Sequence, residues 1–339
     1  MFRTTRRLVL GGLTRSFGSR RFEYGQNSVI HLTSKNRPLD VKIETLWDDW
    51  TEVEVDEHQV LVSDEGQEVF LNASESTDHH SLPVHLKVPE HSGLKISSAG
   101  GSIEHINTPT IDGKLKGDFH IKHTGKSATD HIKLRSLQSE DCQISLQNAN
   151  LIFKSGFQVK QGFLKKTEPG EINYSMLGVA EHYSIDISNC NLNCKSVYTN
   201  PPDAVWGSQS QHPQLSLTLS KSKAHIGVVK GSISAKLSDS STLEISSAQF
   251  DHLSLDMGPG TQCSLYIASM PTRKVHITSS STSSLSLTCP QSLFDQVQNL
   301  FSQSSSLQGK VTISVGENRD NLVGYFVNRG QRSTPKPKA

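Results

Sequence analysis

The sequence predicts an all-β protein, a single-stranded β-solenoid of short rungs with one capping helix near its C-terminus. Three observations carry that expectation. Short runs of alternating apolar and polar residues recur from residue 29 onward, and Gly, Asn, Asp and Ser punctuate them. Aromatic residues make up only 6% of the 339 residues, as a thin, elongated core requires. A β-sandwich is the alternative, because regularly spaced strands suit that architecture too.

Residues 1–22 read as a mitochondrial presequence. Arg3, Arg6, Arg7, Arg15, Arg20 and Arg21 alternate with Thr and Ser, and no acid precedes Glu23. On a helix Phe2, Val9, Leu13 and Phe17 share a face opposite several arginines, the basic amphipathic form that import requires. A secretory signal would need a longer apolar centre than Leu8 to Leu13. Arg20-Arg21-Phe22 suggests cleavage near residue 22 and a mature chain in the mitochondrial matrix.

Residues 23–83 form a β-rich N-terminal cap region, with strand-like runs at Val29–Leu32, Val41–Ile43, Val53–Val55, Val60–Val62 and Val69–Leu71. The solenoid proper is expected over 84–316. Its strands of three or four residues include Leu94–Ser97, Gln143–Leu146 and Leu151–Lys154, then a second array at Gly231–Leu237, Leu243–Ile245, Leu253–Leu255, Cys263–Ile267, Val275–Ile277, Leu285–Leu287 and Val311–Ile313. Residues 198–213, with three prolines and Trp206, read as a loop between the arrays. Residues 290–301 are the one mature helix: Pro290 stands near the first turn and Leu293, Phe294, Val297, Leu300 and Phe301 share a face that packs on the solenoid or covers an end. Residues 317–339 are expected to hold a terminal strand and a disordered basic tail.

Composition excludes some classes of function. With 34 basic and 33 acidic residues the formal charge is +1, so no basic surface points to nucleic acid. No apolar run approaches the roughly 18 residues of a membrane-spanning helix. Five scattered cysteines do not form a secreted disulfide framework.

Val84-His85-Leu86-Lys87-Val88-Pro89, followed by Leu94-Lys95-Ile96-Ser97 and Gly100-Gly101-Ser102-Ile103, resembles the bacterial "putative adhesin" domain family, in which a strand ending in Val-Pro leads into rungs marked by Gly-Ser before isoleucine. Gly117–Ile121 and Gly231–Ile233 look similar. Together with the leader, the chain resembles the animal mitochondrial proteins of family with sequence similarity 185 over roughly residues 40–316. That resemblance implies a β-solenoid without an established activity, and it carries no functional residues.

Four constellations could bear chemistry. Cys190 and Cys194 could contribute two ligands to a tetrahedral metal site that still lacks two more; Cys142, Cys263 and Cys289 read as small core residues. His79, His80, His85 and His91 could gather a metal, although the first two sit in a polar turn. Trp47-Asp48-Asp49-Trp50 is either a ligand platform or an aromatic plug over the first rung. Asp239, Glu244, Asp251 and Asp256 could approach one another on neighbouring rungs, as acid and base catalysis on a glycan or polyanion would need. No phosphate-binding loop, dinucleotide fingerprint or His-Glu-x-x-His run occurs. The expectation is therefore a non-catalytic module that binds another protein or self-associates through its ends, with no cofactor, metal or small-molecule substrate. A hydrolase or lyase using rung-borne carboxylates is the alternative.

Overall fold

A computed structural model describes residues 17–22, 28–46, 50–56, 59–65, 67–74, 80–106, 115–125, 127, 129–199, 213–303 and 306–316. The chain coils into a β-solenoid with parallel walls. The first wall stacks Val29–Thr33, Gly93–Ser98 and Phe119–Thr124, then one segment from each later coil as far as Val275–Ser279 and Ser306–Leu307. The second stacks Leu39–Leu46, Gly101–Ile106 and His131–Leu134, and ends with Ser284–Cys289 and Lys310–Val315. A short third wall, from Leu137, Phe157 and Leu177 to Val197, Val229 and Ala248, closes the section.

Leu151 pairs with Ile172 and Glu171 with Asn191, so successive coils advance by 21 and then 20 residues. The sequence expectation of strands three or four residues long needs correction. Pairing runs on around the corners, so Asn150–Lys166 and Glu171–Ser188 are continuous strands of 17 and 18 residues. Each wall nevertheless takes only a few residues, which is why the alternating runs look short.

Alternation puts every second side chain inside, and the register stacks like on like. On the first wall Leu32, Ile96, Ile121, Ile144, Leu164 and Ile185 form one internal column. On the second Ile103, Ile132, Leu151, Ile172, Leu192 and Ala224 form another. All are buried. Aliphatic columns fill most of so narrow a space; buried aromatic rings such as Phe119 and Phe250 are scattered, and Phe153, Phe157, Tyr174 and Tyr183 gather into a cluster in the middle coils.

The corners are built by turn chemistry. Between the first and second walls Asn148, Asn189, Lys221 and Ser240 adopt positive φ, and the next hydroxyl folds back on the turn. Ser222 donates to the Ser220 carbonyl at 2.7 Å, Thr261 to Gly258 at 2.7 Å and Ser283 to Ser280 at 2.8 Å. Where the third wall meets the first, Gly162 (φ 143°) lies so near the previous coil that a Cβ would stand 1.9 Å from the Cys142 carbonyl oxygen.

Three further details differ from the sequence expectation. The ladder starts at Val29–Thr33, inside the region read as a cap. Asn191–Thr199 runs as strand through Thr199, with Val197 and Thr199 buried on the third wall, so residues 198 and 199 of the expected loop at 198–213 are strand, and residues 200–212 lie outside the described ones. The α-helix is Phe294–Gln303 after a 3₁₀ turn at Gln291–Leu293, with Pro290 outside it in extended backbone. The helix joins Ser284–Cys289 on the second wall to Ser306–Leu307 on the first and buries Val297 and Phe301, so it occupies the third wall's place in the last coil. Residues 317–339 lie outside the described ones.

At the N-terminal end the pattern turns antiparallel. Val60–Glu65 pairs with Glu68–Ala73, which continues the first wall. Thr51–Asp56 pairs with Leu82–Pro89, which continues the second. On the other edge of Thr51–Asp56 lies Phe17–Phe22, antiparallel over all six residues.

Candidate binding surfaces

The four carboxylates suggested by the sequence do not converge. Glu244 is on the second wall, in register with His225 and Ser264. Asp256 is on the first wall and accepts a 2.7 Å hydrogen bond from Thr278. Asp239 sits in a corner turn, where donation from Ser220 and Ser238 holds its carboxyl below the usual range. Asp251 lies at the opposite corner and accepts from Thr272 at 3.0 Å. A coil that sends successive polar residues to different aspects gives these acids no common substrate position.

All five thiols are free and buried. Cys190 closes a corner, donating to the Glu168 and Ser188 carbonyls, while Cys194 donates to Ser196. Burial pushes the Cys194 thiol up to about 12. His80, His85 and His91 are spread over different elements, His79 lies outside the described residues, and no cluster of three metal-binding side chains occurs among the described residues. Trp47, Asp48 and Asp49 also lie outside them; Trp50 is half-buried beside the strand that follows.

One cluster was invisible in the sequence. Ser98 Oγ and His123 Nδ1 share a 2.6 Å hydrogen bond, and His123 Nε2 lies 3.9 Å from Asp130 Oδ2. Lys166 is buried in the same corner, with its amine 3.4 Å from the Pro169 carbonyl. The residue types follow a nucleophile, base and acid order, yet the His123 side chain is wholly enclosed, at 0% exposure. Burial lowers the His123 and Lys166 pKa values against the pull of nearby carboxylates and, for the lysine, Cys190. With no path for a substrate, these groups serve the packing of the corner.

The charged surface lies outside the second wall at its N-terminal end. His85 sits between Glu44 Oε1 at 3.0 Å and Glu54 Oε2 at 3.1 Å, and Lys87 lies 3.0 Å from Glu54 and 3.4 Å from Glu52. Burial pushes the Glu54 carboxyl up, but Lys87 and His85 together outweigh it and hold it below the usual range. Two strands along, Glu104 meets His131 at 2.7 Å and Lys133 at 3.0 Å, and these partners lower its pKa. The strand at the rim of this network, Thr51–Asp56, is held by Leu82–Pro89 on one edge and offers its other edge to an extended segment. Val53 and Val55 point into the core at 0% exposure, whereas Glu52 and Glu54 face outward. This arrangement can take a strand by main-chain hydrogen bonds and select it by charge.

No family model and no curated protein matches the chain. Among solved structures the chain is similar to a putative adhesin from Parabacteroides distasonis, with 12% identity and a TM-score of 0.41 over 88% of this chain and 96% of that one. A putative adhesin from Parabacteroides merdae shares 10% identity at a TM-score of 0.37, covering 89% and 96%. A putative lipid binding protein from Parabacteroides distasonis shares 9% at 0.24, covering 88% and 96%. At such identities and TM-scores the likeness says nothing of a role. The parallel ladders themselves make the protein an all-β solenoid.

Proposed function

We propose that the protein is a non-catalytic scaffold of mitochondria, in the matrix, that binds another protein by strand pairing at its N-terminal end. The observation that carries this reading is the outer edge of Thr51–Asp56, which holds an extended segment antiparallel over six consecutive residues. The arginine-rich, acid-free composition before Glu23 and the resemblance to animal mitochondrial proteins support the compartment.

The test is import of the tagged full-length chain into isolated mitochondria, followed by crosslinking and affinity purification. The expected outcome is a protease-protected chain, shortened by about the leader, that recovers one specific crosslinked partner. Retention outside at full length would end the mitochondrial reading. Matrix delivery without any crosslinked partner would end the binding role.

A second reading, self-association, is favoured by the other end. Lys310–Val315 pairs with Ser284–Cys289 on one edge and with no further described strand, and Val315 is 46% exposed. Mass that rises with concentration in light scattering would support it, and a constant monomer would exclude it.

A further inference from the structure

We propose that, in the processed chain, the vacated outer edge of Thr51–Asp56 is a docking strand for basic, acid-free extended segments of the presequence type, supplied by other imported proteins. This deepens the scaffold reading and rests on it.

The intact chain shows what the edge accepts. Its own leader segment lies there in unbroken register, from Phe17 opposite Asp56 to Phe22 opposite Thr51. Directly opposed residues of an antiparallel pair share a face of the sheet. Phe22 therefore falls on the inner face with Thr51, and its ring is buried at 5% exposure. In the register Arg21 stands opposite Glu52 and Ser19 opposite Glu54, and both glutamates lie on the outer face of their strand. The edge thus combines a place for an aromatic ring, main-chain pairing and an acidic outer face.

Cleavage near residue 22 removes the whole of this strand. What remains is the open edge of Thr51–Asp56, whose Val53 and Val55 face the interior in the full-length chain and whose Glu52 and Glu54 face outward. An uncovered edge of this kind is a template for another strand. The chemistry that fits is that of the strand just lost: an extended segment with an aromatic residue and an arginine next to it, free of carboxylates that Glu52 and Glu54 would repel. Leaders of imported proteins share that composition. The leader is then also an internal competitor, so the precursor is closed to partners until it is processed.

The experiment uses the processed chain isolated from mitochondria and the full-length precursor, each titrated into a fluorescein-labelled peptide of residues 15–22. Saturable anisotropy is expected for the processed chain. Binding to the precursor should be weaker by about tenfold or more, because its edge is already occupied. A peptide carrying both Ser19→Pro and Arg20→Pro, adjacent positions of which one must direct its N–H into the ladder, should lose binding by a similar factor, about tenfold. Glu52→Lys in the protein should weaken binding and reduce its dependence on salt. The peptide variant leaves the protein untouched, so its result does not depend on the folding of a mutant.

No saturable binding to the processed chain, equal binding to both forms, or indifference to proline would overturn the inference. So would an N-terminal sequence of the mature chain that still contains Phe17 to Phe22. If the peptide fails while the crosslinked partner is still recovered, the scaffold reading stands and only the occupant of this edge is wrong.

Discussion

Phe157→Ala will lower the stability of the protein by about 4 kcal/mol, as large core truncations do. Phe157 is fully buried, stacks on Phe153 with centroids 4.5 Å apart, lies 5.7 Å from Tyr174 and meets Tyr183 edge-on at 5.5 Å. It stands on the third wall, where Leu137 and Leu177 flank it in the neighbouring coils. The columns above and below it in the wall are aliphatic, so loss of this ring opens a cavity that smaller neighbours cannot close. The aromatic contacts themselves account for roughly 1 kcal/mol of the total. Burial also holds the Tyr174 and Tyr183 phenols and the Cys142 thiol well above their ordinary pKa values, consistent with a dry cluster. The control is Phe163→Ala. Phe163 is six residues further on, on the outside of the first wall and 37% exposed, and the change there should be within about 0.5 kcal/mol. Guanidinium unfolding measures both, and equal losses would contradict the placement of the two rings.

The second large effect is acid lability. His105 points into the core from the second wall and shares a 2.8 Å hydrogen bond with Thr45 Oγ1. Burial, with Arg135 nearby, lowers its pKa from 6.5 to about 4. The folded chain therefore binds this proton less readily than the unfolded one. The contribution is present in full above pH 6.5 and disappears as pH falls to about 4. A shift of this size corresponds to about 3 kcal/mol. His123, lowered in the same direction, adds to the loss. The melting temperature should therefore fall between pH 7 and pH 4.5, before the carboxylates titrate. Glu54 and Glu104, whose pKa values are lowered, lose their contributions only at more acidic pH. His105→Leu should flatten the upper part of this profile, at a cost of about 1 kcal/mol for the Thr45 hydroxyl left without its partner. A variant whose melting temperature still follows the wild-type curve would show that His105 is not the responsible group.

Much of the fold was legible because a solenoid writes itself locally. Alternation in Leu253-Ser254-Leu255 or Val275-His276-Ile277 gives the inward column directly, and the turn residues Asn148, Asn189 and Asp239 adopt the positive φ that their types favour. The register was not legible. The roughly 20-residue period is hidden because each coil is read as two or three separate short runs, and because the step from Asn191 to its partner Lys223 is longer than the others. The site was less legible still. Ser98 and His123 are 25 residues apart, and only the stacking of Gly93–Ser98 on Phe119–Thr124 brings them together. The arginines before Glu23 are a matter of composition, and nothing in that pattern shows that Phe17–Phe22 matches the edge of Thr51–Asp56. Asp239, Glu244, Asp251 and Asp256 are close in sequence yet face different ways, since a few residues carry the chain around a corner.

Amide hydrogen exchange of Thr51–Asp56 tests the central claim most directly. In the full-length chain both edges of this strand are paired, so its amides should be protected. In the processed chain those facing the vacated edge should exchange faster, and the peptide of residues 15–22 should restore their protection. Identical exchange in the precursor and in the processed chain with and without peptide would contradict a strand-pairing scaffold.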